Sequence, residues 1–141
     1  MASIFLPIKP VYADRLLSGE KRFEYRKSIP SKDISAVVIY ASSPKKMIVG
    51  IGIVDHILCG SVSDIWQKTR HASGINKDAY LHYFEGKRTA YAIQFSEIRR
   101  LTTMVPPETL SETFRIPQSF TYIDDDNLKS LTDLEYETVK H

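Results

Sequence analysis

Three side chains of complementary charge fall within one short stretch, SGEKRFEYRK at 18–27: Lys21, Glu24 and Arg26. An amine, a carboxylate and a guanidinium at this spacing can hold an anion, donate to a base edge or move a proton. Lys21 follows Gly19, so it is expected to lean over a cleft where a helix gives way to a strand. There it offers a point charge to a phosphate or a donor to a base carbonyl. To act as a catalyst it needs a lowered pKa, through burial or through cations such as Arg22 and Arg26. Glu24 and Arg26 stand two apart and share a face of an extended chain. Paired there, Arg26 is steered to present its planar fork to a phosphate or base edge. The same pairing is expected to hold the Glu24 carboxyl below the usual carboxylate range. The plain alternatives are an exposed lysine and an ion pair that only holds a strand end.

The elements around these residues follow from pattern. Alternation along an extended 21–27 sends Lys21, Phe23, Tyr25 and Lys27 one way, and Arg22, Glu24 and Arg26 the other. SIFLPI reads as a first strand, and Lys9-Pro10 opens a helix through VYADRLLS that Gly19 stops. ISAVVIYA (34–41) and MIVGIGIVD (47–55) are β-branched strands separated by SSPKK. Gly50 and Gly52 share a face of the second, marking a barrel bend or a face covered by a helix. SVSDIWQKTR (61–70) is a short helix capped by Ser61 or Ser63, and another begins at Asn76. RTAYAIQFS (88–96) is a strand that EIRRL prolongs around a bend. VPPETL starts a turn of helix, IPQSF is extended, and LKSLTDLEYE forms a short peripheral helix. Strands predominate, with helices inserted between them, which predicts an α+β chain built on a small closed sheet or pseudobarrel.

The 141 residues suit one domain able to bury a core. No run approaches a membrane span, MASIFLPIKP has no secretory pattern, and a single cysteine, expected to be buried or half-buried, fits a reducing cytoplasm. Residues 124–141 hold six acids and two lysines, a net of −4, so residues 1–123 carry +6 of the overall +2. A basic body suits a polyanionic partner, and the acidic tail is expected to shield that body when no ligand is bound. The four histidines (His56, His71, His82, His141) show no HxxxH pairing, and there is no CxxC, phosphate-binding glycine loop or G-x-S-x-G elbow. Neither a metal nor another cofactor is expected.

GEKRFEYR matches, at Gly19, Lys21, Glu24 and Arg26, the G-x-K-x-x-E-x-R motif of the ASCH domain family, a branch of the PUA-like superfold. IKPVYADRLLSG resembles the helix before that motif, and YASSP, IVGIGIV and YFEGKRTAYAI follow in the order of a bacterial single-domain subgroup. The resemblance covers roughly residues 4–100, with PQSF at 117–120 similar to the closing strand. It implies a PUA-like pseudobarrel with short flanking helices over residues 1–123, followed by an acidic tail or peripheral helix at 124–141. It also implies a cleft beside the motif. Related domains bind RNA, DNA or modified nucleobases, one branch is an amidase acting on N4-acylated cytidine nucleosides, and a ribonuclease activity is associated with the family.

The amidase branch carries a threonine three residues after its lysine, where this chain has Glu24, and a glutamate before its second inserted helix, where this chain reads HASGIN. That chemistry is therefore not expected here. The expected function is nucleic-acid binding, RNA ahead of DNA, or binding of a modified nucleoside, through Lys21, Glu24 and Arg26. The alternatives are a hydrolase of the same fold using Lys21, with Glu24 assisting, and a regulatory module that binds a protein partner. Further candidate ligand contacts are Lys9, Ser42 and Ser43 at strand ends, Trp66 as a stacking platform or core anchor, the polar corner Arg70, His71 and Ser73, and Tyr122 beside Phe120.

Overall fold

A computed structural model describes residues 1–140; His141 lies outside the described residues. The strands are β1 (Ala2–Ile8), β2 (Phe23–Arg26), β3 (Ile34–Ala41), β4 (Met47–Ser61), β5 (Thr89–Val105), β6 (Thr121–Ile123) and β7 (Tyr136–Val139). The helices are α1 (Pro10–Ser18), α2 (Val62–Thr69), α3 (Lys77–Tyr83) and α4 (Asp125–Thr132). One mixed sheet holds all seven strands in the order β2-β5-β4-β3-β1-β6, with β7 paired to β5. Only β1 and β3 run parallel; the other pairs are antiparallel.

Cover on both faces explains the unbroken apolar run of β3. Val37 and Ile39 face a core formed with Ile4, Leu6 and Ile8 of β1 and Ala13, Leu16 and Leu17 of α1. Val38 and Tyr40 face a second core with Phe5, Ile51, Leu101 and Leu131. A strand so sandwiched has no polar face to alternate with. Pro10 in the first turn of α1 suits its fixed φ, and Gly19 at φ 85° ends the helix by returning its N–H to the Leu16 carbonyl.

The sheet curls without closing. Register shifts between Ile48 and Gly50, and around Val54, bend β4 against β5. Both readings of the paired glycines hold. A side chain on Gly50 would meet the Arg99 carbonyl at 2.7 Å and Leu17 of α1 at 2.9 Å, and one on Gly52 would meet the Phe95 ring at 2.5 Å. The end strands β2 and β6 are not paired with each other, so the expected closed sheet is an open one, compatible with a pseudobarrel. What spans the seam is one side chain. Arg26 Nη2 donates toward the Ser119 carbonyl at 3.4 Å and the Ser119 hydroxyl at 3.3 Å.

Several local expectations change. β4 runs to Ser61 rather than Asp55, because its ladder with β5 continues to Ser61 opposite Thr89. This outer arm is covered by α2 and α3 in a third cluster of Phe23, Tyr25, Ile65, Trp66, Tyr80 and Phe84. Leu58 takes the covered side, so Cys59 is exposed rather than buried. The last helix starts earlier than expected, with Asp124 as its cap (accepting from the Asn127 N–H at 2.7 Å), and YETV then forms β7 on β5. Leu131 of α4 is buried in the second core.

Candidate functional site

A cleft of about 560 Å³ opens beside the seam, between β2, the start of α1, α3 and the chain at 116–118. Its walls are largely apolar or aromatic: Pro7, Ile8, Tyr12, Ile75, Tyr83 and Ile116. Into these walls are set Lys21, Glu24 and Arg26. A concave apolar pocket with a few converging polar groups is the usual form of a ligand site.

Lys21 is buried, at 2% exposure, rather than leaning out as a surface lysine. It lies before β2, outside the strand whose alternation was expected to orient it. Its backbone N–H donates to the Arg15 carbonyl at 2.9 Å. Its Nζ donates to the Ser73 carbonyl at 3.0 Å and sits 4.4 Å from the centre of the Tyr25 ring and 5.6 Å from that of Tyr12. The facing loop is gripped at three successive carbonyls. Arg22 N–H takes that of Ala72 at 3.0 Å, Lys21 that of Ser73, and Arg15 Nη1 that of Gly74 at 2.6 Å.

Glu24 and Arg26 do share a face of β2, with Arg26 Nη1 donating to Glu24 Oε2 at 3.4 Å. The expected direction of the Glu24 titration is reversed. Burial pushes its carboxyl above the usual range and outweighs the attraction of Lys21 and Arg26. Burial also lowers Lys21 to about 8, against the pull of Glu24, and the cation that assists is Arg15 rather than Arg22 or Arg26. An amine and a carboxyl are thus both held toward their neutral forms in one cleft, the pattern of groups able to exchange protons near neutral pH.

This has a consequence for stability. The Lys21 pKa is lower folded than unfolded, so between about 8 and 10.5 the unfolded chain binds more protons and stability rises with pH. Urea unfolding of the native chain is expected to gain about 2 kcal/mol between pH 7 and pH 10 from this group. Lys21→Met should lack that rise, and an identical pH profile in the two proteins would refute the burial of the charge. Tyr25, raised by burial to about 12, acts in the opposite sense only above the ordinary tyrosine range, near 10.

The other sequence candidates divide. Lys9 and Ser42 line the cleft, though the Ser42 hydroxyl already donates to the Ile8 carbonyl at 3.2 Å. Ser43 is exposed on the following turn, outside the lining. Trp66 packs against Tyr80, ring centres 4.8 Å apart, and is a core anchor away from the cleft. Arg70 and His71 are exposed outside the lining, His71 edge-on to Phe23. Ser73 supports the site through its carbonyl, while its hydroxyl donates to the Ile75 carbonyl at 2.7 Å. Tyr122 lies on β6, 40% exposed and outside the lining. Sequence reading missed Tyr12, Tyr25, His82, Tyr83 and Pro117 as lining residues. The one usable signal was adjacency: Tyr25 lies within the motif, and Tyr12 on the helix that delivers it. Nor do the tail's acids lie over the cleft. Among the described residues the tail's ion pair with the body is Glu137 with Arg100, at 3.5 Å on β5. Among those residues, too, no three His, Cys, Asp or Glu side chains gather as a metal group, and no helix is long and apolar enough to cross a membrane.

Residues 1–123 match the family model described as Domain of unknown function (DUF365). An ASCH domain-containing ribonuclease of Zymomonas mobilis is 29% identical over 128 residues, covering 89% of this chain and 86% of that protein. The crystal structure of an ASCH protein from the same organism superposes with a TM-score of 0.86 at 25% identity, over 98% of each chain. A large ribosomal subunit protein uL22 of Ureaplasma parvum is 31% identical over 124 residues, which span 86% of this chain and 39% of that longer protein.

Proposed function

Since this chain belongs to the ASCH domain family, matches the DUF365 model and has the α+β PUA-like fold of that family, we propose that its cleft binds RNA through Lys21, Glu24 and Arg26. The observation that carries this reading is the convergence of the three motif side chains on an apolar-walled cleft. Arg26 holds its partners at 3.3–3.4 Å, long for charged hydrogen bonds, so a phosphate could replace them at small cost. A base or nucleoside fits the aromatic walls of Tyr12 and Tyr83. RNA is favoured over DNA because a relative is named a ribonuclease. The same reading puts the chain in the cytoplasm, where the exposed Cys59 thiol stays reduced.

A hydrolase is the second reading, favoured by the titration of Lys21 near 8 beside a carboxyl raised by burial. In that case water would attack phosphorus or carbon, its proton passing to the Glu24 carboxylate, while the Lys21 ammonium donates a proton to the leaving oxygen as its bond breaks.

Fluorescence anisotropy with a short single-stranded RNA, titrated across salt, tests the binding reading. The logarithm of affinity is expected to fall with log salt at about 0.7 per phosphate neutralised. Arg26→Ala should weaken binding and make that slope shallower by about one phosphate. No binding at low salt, or binding indifferent to Arg26→Ala, would refute it.

A further inference from the structure

Beyond the cleft lies a row of cations and aromatic rings along the open seam, the Tyr122 ring exposed and those of Tyr83 and Phe120 half-buried. On one side of Arg26, Lys27 Nζ stands 4.7 Å from the centre of the Tyr83 ring, and Tyr83 lines the cleft. On the other side Arg26 reaches Ser119, and the next residue, Phe120, packs edge-on against Tyr122 with centres 5.8 Å apart. Lys32 Nζ covers the Tyr122 ring at 5.0 Å. Each end therefore repeats one unit, a lysine resting on a tyrosine face, with the arginine between them.

Tyr122 has little to gain from this position as a packing residue. It is 40% exposed on the short edge strand β6, where antiparallel pairing sets it opposite Ile4. A lysine over an aromatic face is held by about 0.5–1 kcal/mol at an exposed site. A stacked base is worth about 1–3 kcal/mol. A base can therefore displace the ammonium from the ring, and the displaced lysine is left within reach of the adjoining phosphate. Asp124, the acid next along from β6, is occupied in capping α4. A duplex cannot use this surface, since its bases already stack on one another.

We propose that the seam is a track for single-stranded RNA, with Tyr83 and Tyr122 as stacking platforms on either side of Arg26 and with Lys27 and Lys32 as phosphate contacts beside them. The track rests on the RNA reading of the cleft and extends it, because it commits the ligand to an unpaired strand long enough to run past Arg26 to β6. A mononucleotide would occupy the cleft and leave the β6 end empty.

The test compares three probes on the full chain: uridine monophosphate, a labelled oligouridine of about eight nucleotides, and an RNA duplex of the same length. Tyr122→Ala is expected to weaken the oligouridine about 5- to 50-fold, and Lys32→Ala to make its salt slope shallower by about 0.7. Neither should alter binding of uridine monophosphate, and the duplex should bind more weakly than the single strand. Both positions are exposed, and near-native urea unfolding would show that the variants fold. If oligouridine binding depends on Arg26 but not on Tyr122 or Lys32, the track is refuted while the cleft reading stands. A duplex bound as tightly as the single strand also refutes it. Sensitivity to Tyr122→Ala without sensitivity to Arg26→Ala would refute the cleft reading and, with it, the track as drawn through Arg26.

Discussion

Lys21→Met is expected to weaken RNA binding about 10- to 100-fold while the chain stays folded. The methionine keeps most of the buried stem volume but removes the ammonium that faces the cleft. Two stability effects oppose each other. The Ser73 carbonyl loses its donor, at about 1–3 kcal/mol if no water replaces it. Against this, the cost of burying a charge disappears, the same cost that lowers the Lys21 pKa. The net change in stability should be small beside the loss of affinity. Anisotropy and urea unfolding on the same samples read the two separately, and Lys21→Arg tests whether charge alone suffices. Product formation from RNA by the native chain, lost in Lys21→Met with affinity intact, would move Lys21 from binding to chemistry. Unchanged binding with no product in either protein would leave the motif lysine a structural residue.

Gly74→Ala is expected to produce the second large effect, about 2–4 kcal/mol of lost stability, without replacing a cleft-lining residue. Gly74 has φ +62°, and a Cβ there would stand 2.4 Å from Cβ and 2.8 Å from Cγ of Lys21. The loop cannot simply retreat, because Arg15, Lys21 and Arg22 hold the carbonyls of 72–74. Lys21 must shift instead, so affinity should fall together with stability. Gly86→Ala is the control: φ is +80° there, yet nothing lies within 4 Å of the added atom. It should show only the left-handed strain, about 1 kcal/mol. Equal losses at the two glycines would mean that the contact with Lys21 carries no weight.

Elements with strong local signals were legible in the sequence. Gly19 ends α1, Ser61 caps α2, and Asn76 caps α3 through the Ala79 N–H at 2.8 Å. The shared face of Glu24 and Arg26 followed from strand periodicity alone. The failures arise where distant segments decide. The titration of Glu24 was misjudged because its burial comes from walls formed far along the chain, while the arginine was visible two residues away. Lys21 was legible as a motif residue, but its depth depends on a loop more than fifty positions on. Of the two readings of Trp66, stacking platform or core anchor, the core anchor holds, though only the fold shows that its partner is Tyr80. Tyr12 and Tyr83 were missed because nothing local shows that their two helices face a common space.

The placing of β1 has a consequence for the order in which the molecule is made. Strand β1 lies between β3 and β6, paired with one through Ala2–Ile8 and with the other through Ser3–Phe5. Its parallel partner follows within a few dozen residues, but the antiparallel one comes only after β5 in the chain. Until residues 121–123 emerge, the nascent chain therefore carries an unpaired apolar edge, the kind of surface that recruits chaperones or pairs with a neighbouring copy. Pairing of residues 121–123 with Ser3–Phe5 is the event that ends the hazard.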